Sequence, residues 1–132
     1  MKLDHLEHTD REYPEDSIVR LYAFEPSEVV QLLDLFRNLA DNPGVAVQLD
    51  EVPLVQSIGG CRILLKCGET DSGITKLAGY KNSFECTLTA EGWRHAAYLA
   101  EWFTVKREPN TYQWLYDLDT HIDFLLSPVG VW

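Results

Sequence analysis

Near the end of the chain, "DLDTHID" sets Asp117, Asp119, His121 and Asp123 at alternate positions. In a continuous strand these four share one face, and in a hairpin turn they crowd together. Carboxylate oxygens and an imidazole nitrogen are ligands for Mn²⁺, Zn²⁺ or Mg²⁺. The run resembles the start of an EF-hand loop only loosely. Ile122 stands where that loop needs glycine, and the closing glutamate is absent, so an EF-hand is excluded. The plainer reading is the solvated face of an amphipathic hairpin. His5 and His8, three residues apart, would chelate a metal only on a helix.

The cysteines ask the same question. Cys61 and Cys67 frame "CRILLKC", and Cys86 follows. The alternation reads as a strand, which puts Cys61 and Cys67 roughly 20 Å apart. A disulfide needs Cα atoms within about 7 Å, and one zinc ion holds its sulfurs at about 2.3 Å. Neither can join this pair. All three thiols fall on the faces of Ile63, Leu65, Phe84 and Leu88, which predicts core packing. A nucleophilic cysteine would need a neighbouring base, and His95 and His121 are the ones available.

Arg62 and Lys66 lie on the outward side of the same strand, where they could bind an anion. The glycine stretches "SIGGC" and "CGET" are too short for a phosphate loop, and neither opens a helix. No nucleophile elbow or H-E-x-x-H motif is present. No catalytic residue is assigned, no cofactor is expected, and an enzyme is not the favoured reading.

Aromatic residues carry the stronger signal. From Ala90 to Thr104 the spacing predicts a helix capped by Thr89. Trp93, Ala96, Ala97, Ala100 and Phe103, widened by Leu99, form its core stripe. Tyr98 and Trp102 lie on roughly the opposite side, near Val105. Exposed Trp and Tyr are the usual anchors of interfaces. The alternative is that the N-terminal arm or the final "GVW" covers them.

These residues need a scaffold. Residues 1–16 carry six acids against Lys2 and Arg11, and read as an acidic, mobile arm. Residues 17–132 read as a single α+β domain. "SIVRLYAF" is β-rich. "EPSEVVQLLDLFRNLADNPG" is a helix, with Pro26 in its first turn and Asn42-Pro43-Gly44 ending it. "VAVQL", "CRILLKC", "ITKLA" and "FECTLT" are strands. In "TYQWLYDLDTHIDFLLSPVGVW" the even positions from Tyr112 to Leu126 are apolar except Thr120, and the segment reads as a hairpin bending near 117–121. The order β-α-β-β-β-β-α-β-β predicts a two-layer α+β sandwich, a mostly antiparallel sheet with both helices on one face. A ferredoxin-like core is the nearest simple topology.

The 132-residue chain has 11 Lys and Arg against 21 Asp and Glu, a formal charge of −10. Such an excess argues against nucleic acid and anionic lipid, which are gripped by Lys and Arg. It would draw a basic protein. The start lacks an apolar leader, and the longest uncharged run, Val52 to Cys61, is far shorter than the ~20 residues of a membrane helix. The expected protein is therefore cytoplasmic, with reduced thiols. The leading expectation is a small soluble interaction module, forming a homodimer or binding a basic protein through Tyr98, Trp102 and Val105. The alternative is a small-ligand or divalent-metal protein using the 117–123 hairpin.

Overall fold

Strand and helix periodicities alternate along the chain. The computed structural model describes residues 1–7, 17–116 and 121–129, and realises these periodicities there as nine strands and two α-helices. In order they are β1 (Lys2–Glu7), β2 (Ser17–Tyr22), α1 (Pro26–Asp41), β3 (Ala46–Gln48), β4 (Gln56–Ser57) and β5 (Arg62–Cys67). Then come β6 (Gly73–Lys76), β7 (Ser83–Leu88), α2 (Ala90–Glu101), β8 (Gln113–Tyr116) and β9 (Ile122–Ser127). Single 3₁₀ turns span Leu49–Glu51 and Trp102–Thr104.

Both helices form where the sequence places them. Pro26 opens α1, and the Glu28 side chain accepts from the Glu25 amide at 2.9 Å. Val29, Leu32, Leu33, Phe36, Leu39 and Ala40 are its buried stripe. The Thr89 hydroxyl caps α2 by accepting from the Gly92 amide at 3.0 Å. Trp93, Ala96, Ala97 and Ala100 point inward, and the small alanines let the two helices approach closely. None of the described helices is long and apolar enough to cross a membrane.

The strands make two sheets, ordered β4-β1-β2-β9-β8 and β3-β5-β7-β6. Both are mixed in direction. The pairs β1/β2, β8/β9, β3/β5 and β6/β7 are antiparallel, whereas β2/β9, β5/β7 and β1/β4 are parallel. The α+β class with two helices therefore stands. One mostly antiparallel sheet does not, and the arrangement is not plainly a ferredoxin-like two-layer sandwich. Alternation tells which face of a strand is buried, but not which strand lies beside it. The β2/β9 pair joins segments from opposite ends of the chain. One hydrophobic core, running through both sheets and both helices, holds them together.

The first residues also differ from expectation. Lys2–Glu7, read as part of a mobile arm, are strand β1, paired along its length with β2. Leu3 is fully buried. The acidic composition misled because one of the acids, Asp4, has structural work. Asp4 accepts from Arg20 Nε at 2.7 Å and from a second guanidinium nitrogen at 3.0 Å, on the opposite sheet face from Leu3. Arg20 also lies over the Tyr22 ring, 4.1 Å from its centroid. Residues 8–16, the rest of that arm, lie outside the described residues.

Strands β8 and β9 pair antiparallel, with the alternation broken in β8, and residues 117–120, where the bend was expected, lie outside the described residues. Gln113 pairs with Leu126, Trp114 with Leu125 and Tyr116 with Phe124, with a bulge between Trp114 and Tyr116. The bulge turns Leu115 into the core. Tyr116 reaches across to the other sheet, where its hydroxyl donates to the Asp71 carbonyl at 3.0 Å. Its ring lies where a Cβ on Gly73 would fall, and Gly73 has φ +68°. Only glycine satisfies both conditions at that crossing.

Candidate functional site

Helix α2 presents two different faces. Inward, the fully buried Trp93 donates from Nε1 to the Lys66 carbonyl at 2.9 Å and packs on Phe36 at 5.3 Å between ring centroids. Outward, Tyr98 is 69% exposed, Trp102 37% and Val105 53%. Anchoring one face in the core fixes the other in space, so the outward aromatics stand on a rigid base.

Tyr98 and Trp102 line a shallow hollow of about 280 Å³ with Leu99, Glu101 and Gln113. Trp102 is braced from behind. Arg107 lies over its ring at 4.5 Å and donates from Nε to its carbonyl at 2.8 Å. Phe103 meets the indole edge-on at 5.0 Å. Val105 borders a second hollow, of about 170 Å³, with Phe24, Phe103, Pro109 and Pro128. Sequence reasoning missed Arg107 and Gln113. Arg107 sits past the helix end in a segment read only as a terminator, and Gln113 arrives from another strand. No local periodicity signals either one.

The expected anion site is not assembled. Lys66 Nζ lies 2.6 Å from Glu85, and Arg62 pairs with Asp50 and Glu51 at 3.2 and 3.5 Å. Strand pairing brings carboxylates beside both cations, so the chain's own acids occupy them. Asp50 also accepts from Gln48 Nε2 at 2.6 Å and from the Ile63 amide at 3.0 Å. Burial opposes its ionisation, but the hydrogen bonds from Gln48, Ile63 and Arg62 outweigh burial and hold its pKa below the ordinary value.

Folded Asp50 thus binds a proton less readily than unfolded Asp50. Its stabilisation is present above the unfolded value, about 4, and is lost as pH falls through the lower folded value. Asp50→Asn should flatten the acid limb of a plot of urea midpoint against pH. An acid limb as steep as that of the parent would refute this role.

The acidic hairpin divides. Asp117 and Asp119 lie outside the described residues. Asp123 pairs in register with Ile18, on the sheet face opposite Phe124 and the core. His121 instead lines a cleft between the sheets with His5 and Glu7. No group of three His, Cys, Asp or Glu able to hold a metal occurs among the described residues. His5 lies on a strand, not on the helix that a His5/His8 chelate would need, and His8 is outside the described residues.

All three cysteines are free. Cys61 and Cys86 are fully buried, and Cys67 is partly so. Burial, followed by the charges of Asp4 and Asp50, pushes the Cys61 thiol up to about 12. Burial and the Asp71 charge also raise Cys86. Neither thiol is set up as a nucleophile.

No protein-family profile matches the chain, and neither does any curated protein or solved structure.

Proposed function

We propose that the protein is a small interaction module, not an enzyme, and that it recognises a basic protein through the outward face of α2. One observation carries this reading: Tyr98 on α2 and Trp102 in the 3₁₀ turn that continues it stand exposed, while the other face of α2 is locked in the core. Rigid aromatics cost little conformational entropy on binding and supply large apolar area. The formal charge of −10 selects the partner's sign. It also works against pairing with a second, equally acidic copy. The cytoplasm suits the three free thiols, which stay reduced there.

The test uses Tyr98→Ala and Trp102→Ala. Each should leave the unfolding free energy within about 1 kcal/mol of the parent, because neither side chain is in the core. Each should weaken partner binding by roughly 30-fold, the cost of a hot-spot residue. Sedimentation velocity should find the parent monomeric, and proteins captured by it but lost by both variants should be basic. A dimer that Trp102→Ala dissociates would replace the basic partner with a second copy. Capture identical for parent and variants would end the reading.

A further inference from the structure

His5 stands on the seam between the two sheets. It shares the inward face of β1 with the fully buried Leu3 and is in register with the fully buried Val19 on β2. Its ring packs on Phe84 of β7, in the other sheet, at 4.7 Å between centroids. Asn82, just before β7, is the hydrogen-bond partner of the ring. Asn82 is itself held. Its Nδ2 donates to the Gly59 carbonyl at 2.9 Å, and its own carbonyl accepts from the Arg62 amide at 2.8 Å. With Nδ2 so used, Oδ1 is left to accept a ring N–H, which assigns the proton of neutral His5 to Nδ1. Nε2 is then a bare lone pair, buried and without a partner.

A neutral imidazole tolerates this place, because its lone pair carries no net charge. An imidazolium does not. The second proton must go on Nε2, where it makes a charged N–H with no acceptor and no water. Among the described residues, the groups facing the ring do not compensate. Burial, the largest influence, disfavours the charged ring. Glu7 on β1 favours it, Lys76 on β6 opposes it, and Asn82 and Asp4 favour it less strongly. On balance the folded ring titrates below the ordinary histidine value. His121, beside β9, lines the same cleft and adds a like charge when it is protonated.

We propose that His5 is an acid-sensitive latch between the two sheets: neutral, it seals β1 against β7, and protonated, it is driven out of the seam, so that mild acid loosens β1 from the second sheet. Proton linkage fixes the direction. Released His5 takes its proton at about 6.5, above the value it has in the seam. The stabilisation is therefore fully present above about pH 6.5 and is lost as pH falls from there through the folded value. This window lies above the one in which Asp50 acts. The latch is independent of the α2 face, so either proposal can fail without the other.

Two measurements on the full chain test it. Proton NMR should find the His5 imidazole titrating below about 6.5. The urea midpoint of the parent should fall between about pH 7 and about pH 5, while that of His5→Gln, whose side chain stays neutral, should stay nearly level. His121→Gln should keep the parent's fall. Asn82→Asp puts a carboxylate at the ring, so it should raise the His5 titration and shrink the fall. Each variant is compared with itself across pH, so a uniform loss of stability leaves the readout intact. The proposal is overturned by a His5 titration at or above about 6.5, or by an Asn82→Asp chain in which His5 titrates as in the parent. It is overturned equally by a fall that persists undiminished in His5→Gln or vanishes in His121→Gln.

Discussion

Trp93→Ala is expected to destabilise the domain by about 4 kcal/mol, within the range for removing a buried aromatic side chain. Trp93 is the largest fully buried side chain in the fold. It touches Phe36 on α1 and bonds the Lys66 carbonyl on β5, so it joins both helices to the second sheet. Removing it leaves a cavity at that junction and strips the carbonyl of its partner. Domains are typically stable by only about 5–15 kcal/mol, so the variant would be partly unfolded or close to it.

Urea denaturation measures this directly. Trp93→Phe separates the two contributions, because it restores much of the volume but not the N–H. It should recover more than half of the loss. An alanine variant within about 1 kcal/mol of the parent would mean that α2 is not held by this residue. The prediction also reaches function. If α2 loosens, the Tyr98–Trp102 surface loses its rigid base, and partner binding should fall even though both aromatics remain.

Asp4→Ala is the second large effect, expected at about 3 kcal/mol. The side chains of Asp4 and Arg20 are only 11% and 13% exposed, and two hydrogen bonds join them. Taking the carboxylate away leaves a guanidinium largely out of water. Arg20 keeps its stacking on Tyr22, which limits the damage. The pair itself contributes less than the single substitution implies, because both ions were desolvated to make it. A cycle with Arg20→Met and the double variant Asp4→Leu/Arg20→Met exposes the difference. The double variant should be more stable than Asp4→Ala alone. If Asp4→Ala costs less than about 1 kcal/mol, the pair is effectively solvated and β1 is held by its apolar face and backbone bonds alone.

Leu3 and Asp4 explain why β1 was hard to read. One face of the strand packs in the core, while the other carries an acid whose partner, Arg20, lies on the next strand. Seen locally, an acid among acids looks solvated. The same blindness produced the anion site. Arg62 and Lys66 do face outward, but Glu85 comes from β7 and Asp50 from the turn after β3. Whether a cation is free depends on what a distant segment brings beside it.

Local order was legible because its physics is local. The α1 stripe, the Thr89 cap, the inward alanines of α2 and the burial of Cys61 and Cys86 follow from spacing and side-chain type. They hold whatever the strands do next. The outward placement of Tyr98 and Trp102 follows too, since one helix face in the core sends the opposite face to solvent. Tertiary structure alone decided the parallel β2/β9 and β5/β7 pairs, the bulge that turns Leu115 inward, and the brace of Arg107 on Trp102. It also decided the meeting of His5, Glu7, Lys76 and His121 in one cleft. Each of these joins residues whose separation along the chain carries no periodic signal. Their energies exist only once the shared core has brought two sheets and two helices together.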